Sequence, residues 1–261
     1  MKQVRFFTPL LFSLALLSVA ALPAQAQQKL RIATEGANPP FNGISPGGKV
    51  EGFDVDIANA LCKAMKTDCQ IVTQDWDGII PALLAKKYDA IIASMNITDD
   101  RKKVVAFTKP YYYSPVVFLA PKGKLPTDIA PATLAGKVIG VQSATSHASY
   151  LEDKYPKSTV RQYPTIDDAY RDMASGRVDM VLYDTLAVYA WLRTEPGKCC
   201  EIVGADLNDP AYFGSGVGIA LRKGEGELKA KFDTAIDGIV ADGTYAKINA
   251  KYFPFDIYGK K

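Results

Sequence analysis

Asp89-Ala90-Ile91-Ile92-Ala93-Ser94-Met95-Asn96-Ile97-Thr98-Asp99-Asp100-Arg101 is the stretch on which the fold turns. Its apolar start, Ala90 to Ile92, is bounded by polar residues and reads as a buried strand. Small and polar residues follow: Ala93, Ser94 and Asn96. Thr98 is placed as a helix N-cap, and Asp99 and Asp100 suit the first turn, where the helix dipole favours acids. Arg101 falls in that same turn. A strand end, free backbone N–H groups and a guanidinium thus converge, which suits a carboxylate. A surface arginine paired with a neighbouring acid fits the stretch equally well.

Outward from this stretch, the signal repeats. Lys137 to Val141 reads as a strand, Gln142-Ser143-Ala144-Thr145-Ser146-His147 as a polar turn, and the residues to Lys154 as a helix. Leu30 to Thr34 is a first strand ended by Glu35. Gly36 to Gly48, rich in Gly, Pro and Asn, reads as loop. Asp54 is expected to cap a helix whose inner face is Ile57, Leu61 and Met65. Gln70 to Thr73 is strand. Trp76 follows at a strand-to-helix turn, as core packing or as a platform for a flat or cationic group. Ile79 to Lys86 is a short helix with Leu83 and Leu84 inward. Lys109-Pro110-Tyr111-Tyr112-Tyr113-Ser114-Pro115 is either a crossing between two lobes or an aromatic loop. Asp179 to Tyr183 is a strand ended by Asp184. The alternation of strands and helices predicts largely parallel α/β sheets. In such sheets ligands bind beyond the carboxyl ends of the strands, where Glu35, Ser94, Gln142 and Asp184 all stand.

Composition narrows the function. The chain has 261 residues and a formal net charge of +3. Lys2 and Arg5 precede an apolar run from Phe6 to Leu22, and Ala24-Gln25-Ala26 offers a small-x-small cleavage site. Residues 1–26 therefore read as a signal peptide, cleaved after Ala26. Loss of those two cations leaves the mature chain near neutral. No other apolar stretch is long enough to span a bilayer, and the absence of basic clusters gives no support for nucleic-acid binding. His147 is the only histidine, which excludes a multi-histidine metal site. Four cysteines allow three pairings. A Cys62–Cys69 disulfide is plausible in an oxidising compartment. Cys199 and Cys200 are adjacent: free thiols, a vicinal disulfide or a contact with another chain.

Taken together, these residues resemble the periplasmic solute-binding proteins of polar amino-acid ABC transporters, closest to the lysine/arginine/ornithine-binding and opine-binding type. The resemblance rests on Gly52-Phe53-Asp54-Val55-Asp56, Gln74-Asp75-Trp76-Asp77-Gly78, Ile97-Thr98-Asp99-Asp100-Arg101, Gly140-Val141-Gln142 and Asp242-Gly243-Thr244-Tyr245, in that order along the chain. The Cys62/Cys69 spacing also matches the disulfide of that type. The resemblance implies an α/β fold of two lobes joined by two hinge strands and closing on a ligand. Lobe 1 would comprise residues 27–113 and 211–261, and lobe 2 residues 114–210. Arg101 would bind the ligand α-carboxylate with N–H groups around Asn96 and Thr145, and Asp184 the α-ammonium. Ser94 and the Ala93 carbonyl would line the cleft opposite Ser146, beside Gln142. Trp76 would stack on the ligand side chain, and Glu35 would face its cationic tip. The pattern departs at Asn38, where an aromatic is usual, at His147, where Gln or a small polar residue is common, and at Asn96, which replaces a Ser.

The function implied is capture of a basic L-amino acid (arginine, lysine or ornithine, with histidine in the same class) and delivery to an inner-membrane permease by a monomeric periplasmic protein without cofactor. Two alternatives stand beside it. One is an opine-binding protein for octopine or nopaline. The other is a periplasmic cyclohexadienyl dehydratase, which shares the fold, with His147 or Glu35 as acid or base.

Overall fold

The computed structural model describes residues 1–3, 29–125 and 127–259. Apart from its first three residues, the expected signal peptide lies outside them, as does Pro126. Among the described residues no helix is long and apolar enough to cross a membrane.

The chain opens with β1 (Leu30–Thr34) and then a small antiparallel sheet of β2 (Ala37–Asn38), β3 (Asn42–Ile44) and β4 (Val50–Glu51). Much of the segment expected to be loop is therefore strand. The hairpin is closed by the Asn42 side chain, whose Oδ1 accepts the Gly36 N–H at 2.8 Å. Strands of two or three residues are too short to show a period. Next come α1 (Phe53–Ala64), β5 (Cys69–Thr73), α2 (Trp76–Leu84), β6 (Ala90–Ile91), α3 (Asp99–Lys102) and β7 (Val105–Phe107). The middle of the chain holds β8 (Val116–Pro121), β9 (Val138–Gln142), α4 (Ser146–Lys154), β10 (Thr159–Tyr163), α5 (Ile166–Ala174), β11 (Met180–Asp184), α6 (Thr185–Trp191) and β12 (Cys200–Leu207). The last elements are α7 (Pro210–Phe213), β13 (Ala220–Arg222), α8 (Gly226–Ala241) and α9 (Thr244–Tyr252).

Two five-stranded sheets result, in the orders β5-β1-β6-β13-β7 and β10-β9-β11-β8-β12. In the first, β1 runs parallel to β5 and β6, while β13 is antiparallel to β6 and β7. In the second, β9 runs parallel to β10 and β11, while β8 is antiparallel to β11 and β12. The sheets are thus mixed rather than largely parallel. β8 and β13 are each reached by a crossing from the other sheet rather than by a strand-helix-strand connection within one sheet, and each runs antiparallel to its neighbours.

Two further expectations are corrected. Gly52, not Asp54, is the N-cap of α1, and Asp54 lies buried in the first turn. Only glycine fits at 52: its φ is +132°, and a Cβ there would lie 2.3 Å from the Phe41 carbonyl oxygen. Leu84 is 47% exposed, because α2 turns Ile79, Ala82 and Leu83 inward, at i, i+3 and i+4. Cys62 and Cys69 are bonded, joining α1 to β5, and Cys199 is bonded to Cys200.

The aromatic segment is a crossing: it leads from β7 in the first sheet to β8 in the second. The return passes through Gly214 to Val217. The two run side by side, the Tyr111 N–H donating to the Val217 carbonyl at 2.9 Å and the Val217 N–H to the Tyr112 carbonyl at 3.0 Å. Around them packs a buried aromatic cluster in which Phe41 stacks on Tyr112 at 4.8 Å and Phe53 meets Tyr245 edge-on at 5.9 Å. Each such ring stabilises the fold by about 1.5–3 kcal/mol on burial. Tyr212 and Phe213 pack on the cluster of the second sheet.

Gly214 holds the return against the opening stretch. Its φ is +69°, and a Cβ would stand 2.0 Å from the Ile97 carbonyl oxygen. Gly214→Ala is expected to lower stability by about 2 kcal/mol or more. Urea denaturation measures this, and an unchanged midpoint would contradict the packing described.

Candidate ligand-binding cleft

Thr98 is the N-cap of α3, its hydroxyl accepting the Arg101 N–H at 3.3 Å. This holds Arg101 beneath the preceding turn, where its Nη1 donates to the Asn96 carbonyl at 3.0 Å and its guanidinium lies 5.2 Å from the Trp76 ring centroid. Burial pulls the guanidinium down to about 10, with the Asp184 carboxylate acting the other way. Arg101 therefore stays charged at neutral pH.

The second sheet repeats the device. Thr145 caps α4, accepting the Ala148 N–H at 3.2 Å and donating to the Gln142 carbonyl at 2.7 Å. The two strand-to-helix turns share another feature. Ser94 and Ala144 both have φ of +53°, in the left-handed region, which costs a non-glycine residue about 1 kcal/mol. Such strain collects where a turn must aim groups at a ligand.

One cavity gathers every residue expected to face a ligand. Glu35, Asn38, Trp76, Ala93, Ser94, Asn96 and Arg101 line it from the first sheet, and Gln142, Thr145, Ser146, His147 and Asp184 from the second. Tyr183 completes the lining and was not expected, since neighbours on a strand alternate faces. Here both Tyr183 and Asp184 reach the cavity from the end of β11, and no sequence signal marks it. The Tyr183 hydroxyl donates to Gln142 Oε1 at 3.3 Å.

Glu35 is buried and accepts Gln142 Nε2 at 2.5 Å. Burial pushes its carboxyl up to about 7; the Gln142 bond opposes this, while Asp75, Asp167 and Asp77 add to it. This end of the cavity is thus a negative field. His147, equally buried, lies between the rings of Tyr183 and Phe213 at 5.3 and 5.7 Å. Its Nε2 is 3.4 Å from Asp184 Oδ1, near enough for attraction but not aligned as a hydrogen bond. Among the described residues Asp184 Oδ1, both His147 ring nitrogens, Ser146 Oγ and Asn38 Oδ1 have no hydrogen-bond partner. A buried polar atom left so costs about 1–3 kcal/mol. Their concentration in one cavity fits a polar, charged ligand. Across the cleft Trp76 Nε1 donates to the Ala144 carbonyl at 3.1 Å and Ser143 Oγ to Asp77 Oδ1 at 2.8 Å.

Residues 30–255 match the bacterial extracellular solute-binding proteins, family 3. The L-arginine-binding protein of Pseudomonas aeruginosa is 45% identical over 247 residues, covering 93% of this chain and 95% of that protein. The lysine/arginine/ornithine-binding periplasmic protein of Escherichia coli is 38% identical over 250 residues, covering 95% and 94%. The solved structure of a periplasmic binding protein of Salmonella typhimurium with high arginine specificity aligns with a TM-score of 0.80 at 34% identity, covering 87% of this chain and 99% of that one.

Thr145→Ala removes both a cap and the partner of the Gln142 carbonyl. It is expected to destabilise the protein by about 1–2 kcal/mol. An unchanged urea midpoint would show that the turn does not depend on the cap.

Proposed function

The chain belongs to the family 3 bacterial extracellular solute-binding proteins, and from that membership we propose that it captures a cationic L-amino acid, arginine foremost, for an ABC transporter. A leader cleaved after Ala26 would release it into the periplasm as a monomer. The lobes built on the two sheets would close on the ligand and present it to the inner-membrane permease. Closure follows because the ligand bonds to both lobes only in the closed state.

The observation that carries this reading is the division of charge within one cavity. Arg101 and Asp184 offer a cation and an anion for the α-carboxylate and α-ammonium, and Glu35, backed by three further acids, offers an anion for a side-chain tip. Trp76 supplies the flat surface for the stem between them, and Ser94, the Ala93 carbonyl, Asn96, Thr145 and Ser146 supply polar contacts around the α-group. Asn38 and His147 would shape the rest of the side-chain wall. Opines carry their added carboxylate on the α-nitrogen, where the Asp184 carboxylate would disfavour it. The family relatives are binding proteins of transporters rather than enzymes, so the dehydratase alternative is set aside.

The test is a thermal-shift screen of refolded, ligand-stripped protein against the common amino acids, octopine and nopaline, since a ligand of the folded state alone raises apparent stability. Arginine is expected to give the largest shift; a shift with opines alone would refute the reading. Arg101→Ala and Asp184→Ala are each expected to abolish amino-acid binding in calorimetry, and undiminished binding by either would remove that anchor. Arginine affinity should also depend on pH. A cationic tip favours ionised Glu35, so affinity should be flat above pH about 7 and fall below it, by at most about tenfold per pH unit. Glu35→Gln should flatten this fall and weaken arginine and ornithine at pH 8. A profile unchanged by Glu35→Gln would exclude Glu35 as the partner of the tip.

A further inference from the structure

Asp54 is fully buried and does not line the cavity, yet it lies directly behind it. Its Oδ2 accepts Ser94 Oγ at 3.0 Å and Asn42 Nδ2 at 2.9 Å, and its Oδ1 accepts the Tyr111 hydroxyl at 2.7 Å. The Ser94 backbone N–H is directed at it as well. Asp54 also stands in the first turn of α1, where the helix dipole favours an anion. These donors and the dipole offset part of the cost of burying the charge, and burial still holds the carboxyl above its usual range. Asn42 cannot be turned round, because its Oδ1 already accepts the Gly36 N–H.

The consequence lies in the polarity of Ser94. A carboxylate only accepts hydrogen bonds, and a serine hydroxyl has one proton and two lone pairs. Committed to Asp54, the Ser94 proton is withdrawn from the cavity, so the hydroxyl presents only lone pairs there. A lone pair accepts from an ammonium and repels a carboxylate.

We infer that Asp54 is a positioning residue for the ligand's α-ammonium: it fixes the Ser94 hydroxyl as an acceptor on the cavity wall and, through Asn42 and Gly36, anchors the turn that follows Glu35. The inference rests on the amino-acid reading above for its ligand, and on the Asp54 network alone for its geometry. Asp54→Asn would keep its amide oxygen facing Asn42 and Ser94, so the informative change is Asp54→Leu, which removes the acceptor and releases the Ser94 proton to turn into the cavity against the ammonium.

The experiment is calorimetry of wild type, Asp54→Leu, Ser94→Ala and the double variant. The two ligands are L-arginine and δ-guanidinovalerate, which is arginine without its α-amino group. Folding is checked by circular dichroism and urea. Asp54→Leu should raise the arginine Kd about tenfold and change that of the deaminated analogue less than about threefold. In the Ser94→Ala background the added loss from Asp54→Leu should vanish, since the residue acts through Ser94. Equal losses for the two ligands, or an undiminished loss without Ser94, would overturn the inference. If Asp54→Leu does not fold, Ser94→Ala decides by itself: selective loss of arginine supports the inference, and unchanged arginine affinity overturns it. If wild type binds no amino acid, the functional reading fails, and hydrogen exchange of the ligand-free proteins decides the network. Asp54→Leu should then speed exchange about tenfold in residues 34–44 and 92–98 and leave 146–154 unchanged. Unchanged exchange in the first two segments would overturn it.

Discussion

Val217 is the point through which the two sheets and the cavity are tied together. It is fully buried, and its N–H and carbonyl are taken by Tyr112 and Tyr111 of the outward crossing. It also bridges to Asn96. One residue on, the Ile97 N–H donates to the Gly216 carbonyl at 2.8 Å, and the Gly218 N–H to the Met95 carbonyl at 3.0 Å. The turn that carries Ser94 and Asn96 is thus a third rail beside the two crossings. Gly214, pressed on Ile97, holds the return crossing against that turn.

Three buried acids show how satisfaction separates roles. Burial pushes the Asp54 carboxyl upward, yet three side-chain donors meet its two oxygens. Asp184 Oδ1 has no hydrogen-bond partner among the described residues, and Glu35 has one amide. Burying an anion is expensive unless donors surround it. Asp54 is complete within the protein and acts on its neighbours. Asp184 and Glu35 are incomplete, and their oxygens are left for a donor in the cavity. The incomplete acids line the cavity, and the complete one does not.

The sequence carried the site better than it carried the sheets. Thr98 was readable as a cap because a hydroxyl before a helical run has one common use, and it accepts the Arg101 N–H; the Thr145 cap was not read. Glu35, Gln142 and Asp184 were readable because a polar residue ending an apolar strand stands at a sheet edge. The antiparallel entry of β8 and β13 was not legible, since direction depends on which sheet the chain crosses to, and no local pattern records that. Asp54 misled because an acid before a helix looks like a cap. What set it apart was Gly52, whose contact with the Phe41 carbonyl exists only in the folded chain. The Cys199–Cys200 bond likewise depends on backbone geometry that adjacency alone leaves open.

The Gln142 side chain shows why a forked cation suits the acidic end of the cavity. Its Nε2 is shared between Glu35 Oε1 at 2.5 Å and the Pro164 carbonyl at 3.2 Å, and its Oε1 accepts from Tyr183. A ligand cation that displaces the amide from Glu35 leaves Gln142 its Pro164 and Tyr183 partners and frees one of its two Nε2 hydrogens. What is gained is a charge-assisted bond in place of a neutral donor's, about twice as strong. A guanidinium can make two such bonds in one plane while keeping its face on Trp76, whereas an ammonium is a compact point charge that holds its water more tightly. The same exchange lowers the cost of the Glu35 charge, which Asp75, Asp77 and Asp167 otherwise raise. On the proposed function, a cation at this end would replace an amide already in position rather than fill an empty place.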